Sequence, residues 1–239
     1  MYRKDAPTTI QSMFNSIATR YDVTNAVLSL SLHKYWNRNL IRRVRQNSAP
    51  DVLVDLCSGT GDIALDYLRT SSSPCQAYLI DFSSKMLECA KEKGSALKTP
   101  LAHQLSYIEA DVQQIPLADQ IASCATMAYG IRNVQNPAKC IKEVARVLKP
   151  GGCFGILELT RPRNPLLRLG HKFYLTTLIP FLGKWLTNNA QAYSYLCQSI
   201  QSFTAPEELQ KLLVTNGFHR TKTYPLAGGI ATIILGYKD

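Results

Sequence analysis

The chain has 239 residues, 46% of them hydrophobic and only 18% charged, with 27 basic against 17 acidic side chains and a net charge of +10. That length and apolar share fit one large domain able to bury a core, and exclude a disordered, collagen-like or coiled-coil chain. Seven cysteines, scattered and never in C-x-x-C, point away from a zinc cage or a disulfide framework and toward a reducing cytosol.

In chain order, Ile10, Met13, Phe14 and Ile17 recur at helical spacing, and a second helix follows with Leu40, Ile41 and Val44 as its apolar stripe. From residue 51 short apolar runs at 52–56, 77–80, 105–108, 121–127 and 153–157 alternate with helical stretches. This β-α-β-α rhythm predicts a doubly wound α/β fold, a mostly parallel sheet covered on both faces. A helix over 138–148 should stop at Lys149-Pro150-Gly151-Gly152. Residues 161–202 read as helical and too long for a simple crossover, which suggests an inserted cap. Thr204-Ala-Pro-Glu207 looks like a capping box opening a helix to about Asn216, and strands near 220–224 and 230–237 bring the sheet to seven.

The surplus charge is local. Residues 23–50 hold five bases and no acid, residues 159–206 hold five more and no acid, and the rest balances at 17 of each sign. Two segments of an otherwise neutral body are expected to face something negative, nucleic acid or an anionic membrane surface. The first nine residues carry one acid and two bases with no apolar run, so neither a secretory leader nor a transit peptide is expected. The apolar stretch at 173–183 is far shorter than the roughly 20 residues of a spanning helix, so a membrane would be met from its surface and not crossed.

The clearest motif is Val52-Leu-Val-Asp55-Leu-Cys57-Ser-Gly59-Thr60-Gly61-Asp62, a buried strand entering a glycine turn and then a helix. Gly59 and Gly61 let backbone N–H groups approach a ligand, and the helix start adds a positive dipole end. Asp81, at the end of the second strand, is placed for a ribose diol, and Asp111 ends the third strand in the same crevice. Residues 59–64 also fit the G-x-G-x-x-G/A dinucleotide pattern, but Asp62 would repel a pyrophosphate at the helix start, whereas an ammonium-bearing ligand tolerates acids. Asp55, Asp81 and Asp111 around one glycine loop therefore favour S-adenosylmethionine over a nicotinamide. A lone Asp at a strand end is usually a solvated turn, yet three in register are harder to dismiss.

The segment Tyr21-Asp-Val-Thr24-Asn-Ala-Val-Leu28-Ser-Leu-Ser31-Leu-His33-Lys-Tyr-Trp36 resembles the N-terminal signature of the ubiquinone/menaquinone biosynthesis C-methyltransferase family. Residues 146–160, with Tyr129-Gly130-Ile131-Arg132-Asn133 and Tyr193-Ser-Tyr195-Leu196, are similar to its other motifs, so the likeness runs from about residue 10 onward. Four positions depart from the usual pattern: Thr24 for Met, Ser31 and Cys57 for Gly, and Thr160 for Ser. The resemblance implies a class I methyltransferase fold, Rossmann-like, in one domain: an N-terminal helical cap (1–50), a cofactor-binding core (51–160), a helical insertion or lid (161–203) and a C-terminal helix with strands (204–239). It also implies transfer of the S-adenosylmethionine methyl to a ring carbon of a polyprenylated quinol, a demethylmenaquinol with a methoxy-polyprenyl benzoquinol as alternative. Cofactor contacts carry over to Thr60, Asp81, Asp111, Val112 and Ala128, beside Asp55, Gly59 and Gly61.

Carbon attack requires the quinol to lose a phenolic proton, and no metal is called for because the sulfonium is already electrophilic. Arginine cannot be the base, so Arg132 is assigned to the quinolate oxygen or a proton-accepting water, with Asn133 and Tyr21 orienting it. His33 is the candidate base, against the plain reading of a satisfied histidine inside the helical cap. An RNA methyltransferase would suit the charge, but the bases are interleaved with apolar runs and not with exposed aromatic platforms, so no nucleic-acid partner is expected. A silent lipid-binding relic of the fold is the third possibility. The expected setting is the cytoplasm, at the inner membrane surface.

Overall fold

The computed structural model describes residues 7–46, 51–99, 101–179 and 190–239. Seven strands form one sheet, β1 (Val52–Leu56), β2 (Gln76–Asp81), β3 (Gln104–Glu109), β4 (Ala122–Ala128), β5 (Leu148–Leu159), β6 (Phe218–Leu226) and β7 (Ala231–Lys238), in the order β3-β2-β1-β4-β5-β7-β6. Strands β1 to β5 pair in parallel, and only β7 runs against its neighbours. The order reverses between β1 and β4, which opens a crevice at the carboxyl ends of the strands, where ligands bind in such sheets.

Alternation along the strands feeds two cores. Leu53, Leu79, Cys124 and Leu157 turn to one face, under α3 (Leu32–Arg45), α4 (Asp62–Arg69) and α5 (Ser84–Ser95). Val54, Ile80, Met127 and Ile156 turn to the other, under α6 (Pro137–Val147) and α9 (Pro206–Thr215). Near-continuous burial of β1 and β7 is what a sheet covered on both sides requires. Gly155 lets α3 settle onto β5, since a Cβ there would lie 2.6 Å from Val44 Cγ2 and 2.8 Å from Leu40 Cδ1.

The N-terminal helices α1 (Pro7–Ile17), α2 (Tyr21–Leu28) and α3 join the helices α7 (Pro165–Phe173) and α8 (Ala190–Ser202) above the crevice. Leu28 packs with Leu175, Ile179, Cys197 and Ile200, while Ile10 and Met13 pack with Ala192 and Tyr195. No helix among the described residues is long and apolar enough to cross a membrane.

Three sequence expectations are corrected. The periodicity missed α2, because its β-branched Val23 and Val27 point outward, 66% and 39% exposed, while Thr24 and Leu28 are buried. Helix α6 stops at Val147, and β5 begins at Leu148, which pairs with Ala122 before the register shifts. The restriction that Pro150 places on the residue before it ends the helix early. The capping box at Thr204 does not form: Ala205 is the N-cap, with no side-chain bond, and Pro206 at the first helical position sets the backbone. Of the expected insertion, residues 180–189 lie outside the described residues.

Candidate active site

The glycine turn after β1 is pinned from below: the Ser58 N–H donates to the Ile80 carbonyl at 3.1 Å and the Gly61 N–H to the Ser58 carbonyl at 2.9 Å. Cys57 (φ +49°), Gly59 (φ +55°) and Gly61 (φ +83°) are all left-handed, a conformation that glycine adopts without strain. Cys57 thus holds a glycine-favouring backbone with a side chain, made possible by Gly130, where a Cβ would lie 2.5 Å from that of Cys57. Ser31 repeats the pattern at φ +61°. Of the other departures, Thr24 lines the chamber described below, and Thr160 is buried against the Gly229 carbonyl and Thr232.

Asp81 closes β2 with both oxygens held, Oδ2 by the Gly59 N–H at 2.8 Å and Oδ1 by the Ser83 N–H at 2.9 Å. Burial pushes its pKa up to about 6 against those bonds. Helix α1 roofs this point: Ser83 Oγ donates to Asn15 Oδ1 at 2.6 Å, and the Gln11 amide donates to the Phe82 carbonyl. Asp55 is fully inside, accepting from Thr126 Oγ1 at 2.7 Å and the Ala64 N–H at 3.2 Å, and burial lifts it to about 7. Its bonds brace β1 against β4 and the start of α4.

Three hollows adjoin one another here. In the first, Asp111 and Val112 stand with Phe82, Cys57 and Ile10, walls suited to a flat base. In the second, Asp55, Gly59, Thr60 and Ala128 stand under Tyr21, Asn25 and His33 of the helical cap. The Thr60 hydroxyl is engaged within the protein, donating to Asp22 Oδ1 at 2.5 Å and accepting from Lys93 Nζ at 3.1 Å. Lys93 also bonds Asp22 at 2.8 Å and pairs with Asp62, so one ammonium ties α2 to the glycine loop and α4.

The third hollow is an apolar chamber lined by residues of α1, α2, α3, α8 and the segment after α7, among them Phe14, Leu28, Trp36, Leu175 and Ile200. Tyr21, Asn25, His33 and Tyr129 line both this chamber and the second hollow. Arg132 and Asn133 face the chamber from the turn Ile131–Asn133 that follows β4, and Asn133 also borders the first hollow. Arg132 is buried against Glu158 of β5, and Asn133 Oδ1 accepts from the Tyr195 hydroxyl at 3.0 Å. Tyr129, left-handed at φ +57°, donates its hydroxyl to Asn37 Oδ1 at 3.2 Å. Burial raises the Tyr21 phenol, which keeps it protonated and able to donate. Burial lowers His33; its Nδ1 lies 2.6 Å from Ser29 Oγ, which also bonds the Asn25 carbonyl.

All twelve residues singled out in the sequence therefore gather at one crevice, although Asp55 braces the loop from inside. Sequence reasoning missed Asp22, Lys93 and Glu158, because their partners lie 71, 71 and 26 positions away. Asp22, Tyr129, Glu158 and Tyr195 stood in recognised motifs, and only their contacts were hidden.

A seven-stranded Rossmann-like sheet whose glycine loop after β1, acid at the end of β2 and acid after β3 meet in one crevice is the architecture of an S-adenosylmethionine-dependent methyltransferase. The ubiE/COQ5 methyltransferase family matches residues 2–238, and the chain belongs to that family. The demethylmenaquinone methyltransferase of Protochlamydia amoebophila is 57% identical over 238 residues, covering 99% of this chain and 98% of that protein. The protein of the same name from Chlamydia muridarum is 42% identical over 226 residues, covering 94% of each. Among solved structures, magnesium protoporphyrin IX methyltransferase from Synechocystis with bound S-adenosylmethionine superposes with a TM-score of 0.67 at 12% identity, covering 100% of this chain and 99% of that one. A methyltransferase from Thermotoga maritima gives 0.65 at 18%, covering 95% and 99%. These two likenesses concern the fold.

Proposed function

We propose that the protein transfers the methyl of S-adenosylmethionine to a ring carbon of demethylmenaquinol, the reaction named for its relatives from Protochlamydia and Chlamydia. The observation that carries this is the apolar chamber, which shares Tyr21, Asn25, His33 and Tyr129 with the cofactor hollow and has Arg132 and Asn133 in its wall. A prenylated ring fits the chamber's apolar walls, and its hydroxyl meets a buried cation where the methyl is delivered. Asp81 takes the ribose diol, and Asp111 with Val112 takes the adenine edge. The loop at Gly59–Gly61 cradles the aminoacyl end, near Thr60 and Asp62. When bound, the cofactor supplies an electrophilic methyl on a sulfonium. The chain's own part is to hold the quinol oxygen on Arg132, to orient it with Asn133 and Tyr21, and to keep water out under the helical roof. His33, which lines both the chamber and the cofactor hollow, is the candidate base that the sequence offers.

The acceptor is then the reduced quinol, because only it can ionise into an electron-rich ring. Purified protein with S-adenosylmethionine should methylate demethylmenaquinol and leave the oxidised quinone untouched. Equal transfer to the quinone without reductant would sink the mechanism.

Delivery of a prenylated substrate suggests a membrane surface as partner. Helix α7 buries none of its residues, and Leu166, Leu169 and Phe173 are 82%, 69% and 58% exposed beside Arg168 and Lys172. Leu30 and Tyr35 of the cap are exposed as well, and the Tyr174 hydroxyl bonds the Leu28 carbonyl, so these two apolar surfaces are neighbours. Apolar tips among bases suit an interface with anionic headgroups at the cytoplasmic side.

A further inference from the structure

We propose that Glu158 is the proton acceptor of the reaction, taking the quinol proton through Arg132. This rests on the reading of the chamber as the quinol site. Glu158 stands near the end of β5, 1% exposed and directly behind the chamber-lining Arg132. Its Oε1 accepts from Arg132 Nη1 and from the Leu159 N–H at 2.8 Å. Its Oε2 is buried and makes no hydrogen bond of normal geometry among the described residues, and the same holds for Arg132 Nε. Buried polar atoms are nearly always paired, so two such weakly satisfied atoms on one ion pair mark a place where protons or a ligand complete the bonding. The Arg132 guanidinium bears on Glu158 by its charge and the Arg132 backbone N–H by a hydrogen bond, and Tyr129 after β4 and Tyr195 of α8 are the titratable groups near it.

Charge decides between Glu158 and His33. With quinol and cofactor bound, Arg132, Glu158 and the sulfonium are the three ions beside the ring. If His33 takes the proton, imidazolium and quinolate are added, and five charges share a dry chamber. If Glu158 takes it, the carboxylate disappears as the quinolate forms, and three remain. Each isolated charge brought out of water is costly, so the second route is favoured. Burial acts the same way on each group alone, raising the Glu158 carboxyl and lowering His33.

The transfer balances as follows. The quinol O–H bond breaks and its proton joins a guanidinium nitrogen, while the Nη1 proton moves to Glu158 Oε1. Arg132 is a cation before and after, and it stays paired with the new quinolate. The ring carbon then forms its bond to the methyl, with the pair of the old methyl–sulfur bond staying on sulfur. The Glu158 proton returns through Arg132 to the ring oxygen, and the hydrogen on the methylated carbon leaves as a proton to the water that enters as the product departs. One proton is released overall, and Glu158, which does not touch the substrate, is a positioning residue that stores a proton.

The test is Glu158→Gln assayed with demethylmenaquinol from about pH 6 to about pH 10, with S-adenosylmethionine binding followed by calorimetry. Expected are cofactor and quinol affinities close to wild type and a kcat lowered on the order of 100-fold near pH 7. That kcat should climb about tenfold per pH unit toward about 10, where phenols ionise unaided, so the gap to wild type closes. His33→Gln should keep the wild-type profile shape. A wild-type rate for Glu158→Gln near neutrality, or a loss by one constant factor at every pH, would overturn the proposal, as would the steep profile appearing in His33→Gln instead. If Glu158→Gln binds no cofactor and is unfolded, Glu158→Asp decides: a displaced acid limb of kcat supports the assignment, and an unmoved one overturns it. A wild-type protein that methylates no demethylmenaquinol would instead refute the underlying acceptor reading.

Discussion

At Asp81 the elevated pKa of about 6 has a direct consequence for the cofactor. Ribose hydroxyls donate to the carboxylate and not to the acid, so affinity for S-adenosylmethionine should fall as pH drops through about 6. Asp81→Ala should weaken binding by about 2–4 kcal/mol, because buried hydroxyls lose their acceptor. Unchanged affinity in a calorimetric titration would refute the assignment. For Asp55 the sign concerns stability. Its folded pKa of about 7 lies above its ordinary value, so its contribution is fully present in acid and is lost as pH rises through about 7. Asp55→Asn should therefore flatten the decline of melting temperature between about pH 4 and about pH 7. Arg132→Lys keeps a charge but loses the planar fork that serves Glu158 and a substrate oxygen together. Turnover should drop with cofactor affinity nearly unchanged, and equal turnover in the two proteins would remove Arg132 from the chemistry.

The short link between α2 and α3 depends on two left-handed residues, Leu30 at φ +49° and Ser31 at φ +61°. A non-glycine residue there costs about 1–2 kcal/mol, so Ser31→Gly should stabilise the cap by about 1 kcal/mol, visible as a melting temperature higher by about 2–4 °C. Helix α2 is also tied down through Lys93, which bonds Asp22 of the cap, Thr60 of the loop and Asp62 of α4. These groups are partly exposed, so Lys93→Met should cost about 1 kcal/mol or less in global stability. It leaves Asp22 and Asp62 to repel each other, so hydrogen exchange in α2 should accelerate while the sheet is unaffected. Uniform protection in α2 would show that the apolar contacts of Leu28 alone hold the cap.

For the molecule as a whole, the two acid-free segments seen in the sequence meet in space. Residues 23–50 supply α2 and α3, residues 159–206 supply α7 and α8, and both border the chamber that would receive a prenyl chain. Not all of their apolar residues face outward: Leu175 and Ile179 are 3% and 4% exposed and belong to the cap's own core. Leu166, Leu169 and Phe173 remain for an interface. Each base near anionic lipid contributes about 1 kcal/mol, so the protein should sediment with anionic vesicles at low salt and release as ionic strength rises. No sedimentation at low salt, with or without anionic lipid, would return α7 to an ordinary solvent-facing helix.

The sheet and the cofactor crevice were legible in the sequence because they depend on local signals. Apolar runs of strand length, a glycine turn and acids at successive strand ends are each written within a few residues, and the fold brings them into one row. Helix α2 was not legible, because its outward valines break the apolar period, and the start of β5 was hidden by pairing with Ala122. Family likeness pointed to Arg132 and Asn133 but not to what completes them. Glu158 behind Arg132, Tyr195 on Asn133, and Lys93 between Asp22 and Asp62 are contacts between distant elements, decided only when helices and strands pack. The sequence by itself determined which residues could bind a nucleoside and stabilise a phenolate. Tertiary structure decided which are buried, and burial, by removing water from Asp81, Glu158 and His33, sets the protonation behaviour on which the chemistry depends.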